Sequence, residues 1–193
     1  MFAFKQDIRE KIRKELGLSE ERKVFGHVGR FNIQKNHAFL INVFKEIQKK
    51  EKNAVLLLIG EGELEDQIKK QVESLKLDKN ILFLGPKENV NEYLMAMDAL
   101  LFPSFFEGMP NVVIEAQATG LKSFISNTIT RDADLTGLVS YLDIQKDESE
   151  WAHFILKNLD YKRKDYKKEF MKNGYLIDSV VSQFTELVFK ENE

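Results

Sequence analysis

The sequence predicts an α/β fold: a doubly wound, six-stranded and mainly parallel Rossmann-like sheet with helices on both faces and extra helices at the C-terminus. Short apolar runs alternate along the chain with longer segments of helical periodicity, as in repeated strand–helix units. The runs are almost continuously apolar, which is typical of strands covered on both faces by helices. Because 193 residues suit one substantial core and no Pro/Gly-rich linker interrupts them, we expect a single domain over 1–193.

The elements follow one another in a regular order. An amphipathic helix is predicted within residues 1–20, and helices with a basic stretch at 161–175 are predicted over 145–193, the last at 178–191. Strands are predicted at 24–28, 54–59, 81–84, 99–102, 123–126 and 137–142. Helices are predicted between the strands at 37–50, 63–77, 89–97 and 111–120.

Composition excludes several classes of function. The net charge of -2 gives no general attraction for polyanions, so nucleic acid is disfavoured as a ligand and any phosphate site must be built locally. The absence of cysteine excludes disulfides, thiolate nucleophiles and cysteine-bound metals. No run approaches the ~20 apolar residues of a membrane helix, and the N-terminus has no signal-peptide pattern. A cytoplasmic location is therefore expected.

The predicted topology locates a ligand site. Six strands in the common order 3-2-1-4-5-6 place the switch point between the first and fourth strands. Ligands of such sheets bind beyond the carboxyl ends of the strands at that point. The loops at 29–36 and 103–111 should therefore face each other.

Both loops have features that suit an anion. The first offers Gly29, Arg30 and Lys35, a close-approaching backbone with two cations, although surface cations are often merely solvated. The second runs into a helix whose start is marked by Pro110 and Asn111, where free N–H groups and the helix dipole attract negative charge. A diphosphate fits this combination best.

Two glutamates, Glu107 and Glu115, flank the same helix start. Glu115 lies among apolar residues, where a carboxylate needs hydrogen-bond donors. We hypothesise that a ribose diol supplies them and that a sugar on the far phosphate meets Glu107. The alternative is that Glu107 caps the helix and Glu115 pairs with a lysine. A second pair with the same spacing, Glu65 and Glu73, is typical of the solvent-exposed face of an amphipathic helix. Of this pair, Glu65 is predicted to lie outside the site.

Recognisable motifs accompany these residues. They are GRF…KN, an IGEGEL turn, FLG and, above all, P-S-x-x-E-G-x-P-x-x-x-x-E-A-x-A-x-G at 103–120. Over roughly residues 20–145 the chain resembles family 4 glycosyltransferases, retaining enzymes of the GT-B fold. The segments ISNTIT and DLTGLVSYL resemble the exopolysaccharide and capsular-polysaccharide branch.

The resemblance implies a role for each matching residue. Arg30 and Lys35 would contact the diphosphate and stabilise the leaving nucleotide, and Glu107 would hold the sugar without acting as a nucleophile. Glu115 would hold the ribose, and the turn at Pro86 would flank the base. The implied donor-binding residues are Gly29, Gly108, Met109, Pro110, Asn111, Val112, Glu115, Lys87, Asn89 and Val90.

The resemblance also implies an activity. The domain would be the donor-binding half of a hexosyltransferase that takes a nucleotide sugar, expected to be UDP-linked, and transfers it to a glycan or lipid-linked acceptor without a metal or other cofactor. The family's N-terminal acceptor domain has no counterpart in these residues, and 1–20 resembles an interdomain helix. We therefore expect an isolated C-terminal half that binds donor but does not turn it over. The basic stretch at 161–175 is either a solvated helix or a contact with anionic lipid at the inner face of the membrane.

The sequence also allows other interpretations of its function. A non-catalytic Rossmann-like assembly domain is the main alternative. A dehydrogenase is disfavoured because Glu65 stands where the third glycine of the dinucleotide fingerprint belongs. Asp132 and Asp134 have the spacing of a cation motif but sit in a polar loop typical of a solvated turn. The three histidines lack the spacing of a metal site, and we interpret them as structural or exposed residues. For His27 and His37, a minor role near the loop at 29–36 is an open alternative.

Overall fold

The computed structural model describes residues 3–175, and the helix predicted at 178–191 lies outside them. Six strands form one sheet in the order β3-β2-β1-β4-β5-β6, and every neighbouring pair is parallel. This arrangement confirms the predicted topology. The strands are β1 (Val24–Val28), β2 (Val55–Ile59), β3 (Ile81–Gly85), β4 (Ala99–Phe102), β5 (Ser123–Ser126) and β6 (Val139–Leu142).

The helices also agree with the sequence pattern, apart from their ends. The largest difference is in α3, which is shorter than the predicted 63–77. Its start is delayed because Leu64 belongs to a turn whose N–H donates to the Phe31 carbonyl, and Lys76 ends it with a left-handed backbone. The helices are α1 (Gln6–Glu15), α2 (His37–Lys50), α3 (Glu65–Ser74), α4 (Val90–Ala96), α5 (Asn111–Ala118), α6 (Glu148–Lys157) and α7 (Lys167–Lys172).

The sheet is covered on both faces. The central strands β1, β2, β4 and β5 are almost wholly buried, whereas the edge strands β3 and β6 are half-buried. On one face Phe25 and Leu56 pack with Phe44 of α2, Trp151 of α6 and residues of α3. The opposite face packs against α4 and α5. Burial on both sides explains why the strand sequences do not alternate between apolar and polar residues.

The amino-terminal edge of the sheet is tied together by arginines of α1. Arg13 is 1% exposed and its Nη2 lies 2.7 Å from Asp98 Oδ2, while Arg9 Nη2 lies 2.8 Å from the other oxygen. The Val24 N–H donates to the same carboxylate at 2.7 Å. Asp98 therefore joins α1 to the starts of β1 and β4.

The basic stretch at 161–175 differs from a simple solvated helix. Only Lys167–Lys172 is helical, and Arg163 is drawn inward to donate to the carbonyls of Leu94, Met97 and Thr119. These carbonyls lie at the C-terminal ends of α4 and α5, where the helix itself supplies no N–H donor. Part of the stretch is thus structural. Within residues 3–175, no helix is long and apolar enough to cross a membrane.

Candidate functional site

The loops that follow β1 and β4 are hydrogen-bonded to each other. The Phe105 N–H donates to the Gln34 carbonyl at 2.9 Å, and Gln34 Nε2 donates to the Phe106 carbonyl at 2.9 Å. The two strands are neighbours, so the loops at 29–36 and 103–111 leave the same edge of the sheet. The structure therefore brings together the two segments that the switch-point rule selects.

An ion pair links the two loops at this point. Lys35 Nζ lies 2.7 Å from Glu107 Oε1, and the two side chains are only 17% and 10% exposed. The ammonium also lies 4.7 Å from the centre of the Phe102 ring. Glu107 therefore pairs with a cation, and Pro110, the N-cap of α5, makes no side-chain capping bond. The predicted alternative in which Glu107 caps the helix does not describe this geometry.

Beside the ion pair, the start of α5 is open. Asn111 is its first residue, and within residues 3–175 the N–H groups of Asn111 and Val112 have no hydrogen-bond acceptor. A methyl group built on Gly108 would meet no atom within 4 Å, and Met109 is exposed. Free N–H groups at a helix start, next to open space, are the arrangement that holds phosphate oxygens.

Glu115 lies one turn further along α5. It is half-buried, and burial raises the pKa of its carboxyl group. No salt bridge or side-chain hydrogen bond to Glu115 occurs in the described part of the chain, so the predicted alternative of a lysine partner is not seen. A carboxylate in this position has acceptor capacity to offer a ligand.

Arg30 faces a different side of the site. Its Nε lies 3.1 Å from Glu63 Oε2, and the two side chains are 70% and 57% exposed. The two predicted phosphate-binding cations are thus paired with separate carboxylates. A cavity of about 710 Å³ adjoins Arg30 and is lined by Arg30, Gly60, Glu61, Gly62, Glu65 and Pro86.

Glu65, which was predicted to lie outside the site, is close to one of the predicted site residues. Glu65 lines the same cavity as Arg30, because α3 begins directly at the carboxyl edge of β2. Its carboxylate lies 2.7 Å from Lys69 Nζ, an i,i+4 pair on α3. Glu73, two turns further along α3, is exposed as predicted.

The GEGEL turn after β2 supports the loop that carries Arg30. The Phe31 N–H donates to the Glu61 carbonyl at 3.0 Å, and the Phe31 carbonyl accepts from Leu64 at 2.9 Å. A methyl group on Gly60 would overlap the Gly29 carbonyl, and both glycines of the turn have positive φ. Sequence reasoning missed this role, although β2 lies beside β1 in the predicted order and its loop must reach the same edge.

The predicted base-flanking turn follows β3. Pro86 lines the cavity, and the Gly60 N–H donates to the Gly85 carbonyl at 3.0 Å, which joins this turn to the GEGEL turn. Lys87 and Asn89 precede α4 and contact its side chains. The Lys87 ammonium lies over the Tyr93 ring, and Asn89 Nδ2 donates to the Glu92 carboxylate at 2.9 Å. Val90 is the first residue of α4.

Two buried histidines lie behind the first loop. His27 is fully buried in β1, and its Nδ1 lies 2.8 Å from the Leu101 carbonyl. Its ring stacks on Phe102 and meets the edge of His37, with ring centres 5.3 Å and 4.6 Å apart respectively. His37 in turn stacks on Phe31 at 4.2 Å. The two rings therefore form an aromatic layer between the sheet and the loop at 29–36.

Both histidines are held neutral. Burial lowers the pKa of His27 well below its usual value, with a further contribution from His37. Burial and the nearby Lys35 ammonium lower the pKa of His37 to about 4. The Lys35 ammonium therefore lies near two uncharged imidazole rings.

The Asp132–Asp134 segment forms a capped turn. Thr130 caps a short 3-10 helix at Arg131–Ala133, and Asp134 Oδ1 accepts from the N–H groups of Thr136 and Gly137. One carboxylate oxygen of Asp134 is therefore used by the turn, in agreement with the interpretation of this segment as a solvated turn. Among residues 3–175, no group of three or more His, Asp or Glu side chains is arranged to hold a metal ion.

These features define a class of protein. Residues 8–133 match the model of the family described as "Glycosyl transferases group 1", and the chain belongs to that family. The family bears out the resemblance carried by the sequence motifs.

Individual relatives agree with this assignment. The chain is 36% identical over 157 residues to the "Putative glycosyltransferase EpsF" of Bacillus subtilis, covering 81% of this chain and 40% of the relative. It is 31% identical over 150 residues to the "Capsular polysaccharide biosynthesis glycosyltransferase CapH" of Staphylococcus aureus, covering 75% and 42%. It is 36% identical over 126 residues to an Escherichia coli "UDP-Gal:alpha-D-GlcNAc-diphosphoundecaprenol alpha-1,3-galactosyltransferase", covering 64% and 32%. The chain thus spans about two fifths or less of the length of these relatives.

Solved structures confirm the fold. Anabaena HepE in complex with UDP superposes with a TM-score of 0.74 at 17% identity, covering 98% of this chain and 54% of HepE. WaaG, a lipopolysaccharide glycosyltransferase, superposes with a TM-score of 0.71 at 21% identity, covering 80% and 42%. The C-terminal domain of Francisella tularensis LpcC gives 0.65 at 19% identity and is covered to 95%, as is this chain. The six-stranded domain therefore has the fold of a domain found in these glycosyltransferases.

Proposed function

We propose that this domain binds a nucleoside-diphosphate sugar, with UDP as the nucleotide, for retaining transfer in the synthesis of a cell-surface polysaccharide. The observation that carries the proposal is the Lys35–Glu107 ion pair beside the open start of α5. It combines a phosphate-binding cation, free N–H groups and a sugar-binding carboxylate at one point of the sheet edge.

Each part of the donor has a partner in this geometry. The diphosphate takes the Lys35 ammonium and the N–H groups of Asn111 and Val112, and the sugar hydroxyls take Glu107. Glu115 accepts from the ribose diol, which offers the donors that the carboxylate lacks within the described residues. Arg30 reaches the far side of the diphosphate from the rim of its cavity, and Pro86 lies beside the base.

Catalysis at such a site is electrostatic. As the bond between the sugar and the diphosphate breaks, negative charge grows on the leaving phosphate, and Arg30, Lys35 and the α5 N–H groups stabilise it. These groups supply the stabilisation without a divalent metal. The acceptor must be held next to the reacting carbon, on the face from which the diphosphate departs, so we expect residues 1–193 alone to bind donor without turning it over.

The printed names of similar proteins support the choice of ligands. Structures of HepE contain UDP and UDP-glucose, and the Escherichia coli relative is named for UDP-galactose and a diphosphoundecaprenol acceptor. CapH is named for capsular polysaccharide biosynthesis. For this chain we accordingly propose a UDP-linked hexose as donor and a glycan or lipid-linked acceptor, met at the inner face of the membrane.

Thermal unfolding with a panel of UDP, GDP, ADP and their sugars, each with and without EDTA, tests the proposal. A ligand bound only by the folded state stabilises it by about 2.7 kcal/mol at a hundredfold excess over Kd, so UDP compounds should raise the melting temperature, with EDTA making no difference. Arg30→Ala and Glu115→Ala should lose the increase. Arg22→Ala, at the opposite end of β1, is the matched control and should keep it. No increase with any nucleotide would favour a non-catalytic assembly domain.

A further inference from the structure

His27 carries a polar atom that no structural need explains. Its Nδ1 donates to the Leu101 carbonyl at 2.8 Å, which leaves Nε2 as an unprotonated acceptor because the ring is neutral. Nε2 is buried and has no hydrogen-bond partner among residues 3–175. A buried acceptor without a donor costs about 1–3 kcal/mol, so its retention here points to a partner that arrives in another state of the site.

The first loop brings a donor close to this atom. A methyl group built on Gly29 would lie 3.0 Å from Lys35 Cε and 3.2 Å from His27 Nε2, so the end of the lysine and the ring nitrogen border the same small space. Gly29 keeps a conformation open to any residue, with no positive φ. The absence of a side chain at Gly29 is therefore what leaves room between Lys35 and His27.

Lys35 has capacity for a second partner. Its ammonium carries three protons, and in this structure one of them is donated to Glu107 Oε1. The ammonium also lies over the Phe102 ring. The same Phe102 ring stacks on His27. Because the end of the lysine and His27 Nε2 border the same space, we expect rotation about the last lysine bonds to redirect the ammonium from the carboxylate to the imidazole.

We infer that His27 is a positioning residue for Lys35: when Glu107 turns to the hydroxyls of the donor sugar, the Lys35 ammonium donates to His27 Nε2 and keeps its other protons directed at the diphosphate. This inference rests on the proposed function for the identity of the ligand. The exchange moves no covalent bond and no proton between groups. It replaces one hydrogen bond of Lys35 with another, so that releasing Glu107 does not leave the lysine unanchored.

A direct test needs no ligand. In protein with 15N-labelled histidine, the Nε2 resonance of His27 reports whether that nitrogen accepts a hydrogen bond. Glu107→Gln removes the charge that holds Lys35, so His27 Nε2 should shift upfield relative to the wild type, and the shift should disappear in Glu107→Gln/Lys35→Met. Gly29→Ala should also abolish it by filling the space between the two side chains. An unchanged His27 Nε2 resonance in Glu107→Gln would overturn the inference.

Two substitutions at His27 separate positioning from packing. The Asn side chain places an N–H near the Nδ1 position and retains the bond to Leu101 but has no Nε2, whereas the Gln side chain reaches the Nε2 position with a carbonyl oxygen. If UDP binds, we expect His27→Asn to weaken it about three- to tenfold, as for loss of one hydrogen bond, and His27→Gln to restore part of the loss. In a Lys35→Met background His27→Asn should have no further effect.

The outcomes distinguish the two proposals. If the wild type binds no nucleotide but the His27 resonance responds to Glu107→Gln, the contact with Lys35 stands and the proposed function fails. If UDP binds and the effects of His27→Asn and Lys35→Met simply add, His27 acts through packing and the positioning role is wrong.

Discussion

The two edges of the sheet use charged residues in opposite ways. At the amino edge, Asp98 is shared by Arg9 and Arg13, and Arg163 donates to backbone carbonyls. At the carboxyl edge, Glu115 and His27 Nε2 have no partners among the described residues. The amino edge thus satisfies its buried charges within the chain, whereas the carboxyl edge keeps two acceptors that have no partner among the described residues.

Cavities alone do not separate these edges. A cavity of about 780 Å³ lies at the amino edge and is slightly larger than the one beside Arg30. Several of its cations are already engaged: Arg9 Nη2 lies 2.8 Å from Asp98 Oδ1, Lys23 Nζ lies 2.7 Å from Glu51 Oε1, and burial lowers the pKa of Arg163 to about 10. The two edges therefore differ in the unused hydrogen-bonding capacity of Glu115 and His27 rather than in cavity volume.

The largest effect is expected from breaking the amino-edge network. Asp98→Asn removes the charge that compensates Arg13, which is 1% exposed, and should lower the free energy of unfolding by about 3–5 kcal/mol. Urea denaturation measures the change. Glu20→Gln, a 51% exposed neighbour of the same arginines, is the control and should change it by less than about 0.5 kcal/mol. Equal effects of the two substitutions would contradict the comparison of the edges.

Acid should weaken the fold through the two buried histidines. In the unfolded chain a histidine gains a proton below about pH 6.5, whereas the folded protein keeps His27 and His37 neutral, with a pKa of about 4 for His37. The stability is therefore fully present above pH 6.5 and falls as the pH decreases, by about 1.4 kcal/mol per pH unit for each histidine, or about 2 kcal/mol each by pH 5.

Urea midpoints between pH 5 and 7 measure this slope. His37→Gln should remove about half of it, and His153→Gln, at an exposed position, should leave it unchanged. A wild-type slope that does not depend on His37 would show that the pair is not held neutral.

At the carboxyl edge, Glu115→Gln should affect stability and binding in opposite directions. Burial raises the pKa of Glu115, so its charged form is disfavoured in the folded state and the urea midpoint at pH 7 should stay the same or rise. UDP affinity should fall about tenfold, because a charged acceptor for the ribose is lost. Titration calorimetry measures the affinity, with Glu73→Gln as the exposed control on α3. A loss of both stability and affinity would make Glu115 a structural residue.

The sequence predicted the fold more completely than the candidate site. Continuous apolar runs predicted the six strands, because burial on both faces leaves a pattern that is independent of contacts, and the common order of doubly wound sheets predicted their arrangement. Lys35 and Glu107 were selected through the topology, but their ion pair depends on side-chain positions that spacing does not encode. The position of Glu65 beside Arg30 was not predicted, because its helical periodicity is local, whereas that position follows from where α3 starts relative to β2.

The smallest effect is expected at the rim of the site. Glu63 and Arg30 form an exposed pair, which contributes little to stability, so Glu63→Gln should leave the urea midpoint unchanged. A diphosphate must nevertheless compete with Glu63 for Arg30, and removing the carboxylate should tighten UDP binding by about two- to fivefold at low salt, less at high salt. Glu46→Gln, whose pair with Lys49 lies on α2 away from the loops, should not change the affinity. If Glu63→Gln instead weakens UDP binding, the carboxylate orients Arg30 towards the ligand rather than competing with it, and the rim is built like the pre-paired Lys35–Glu107 centre.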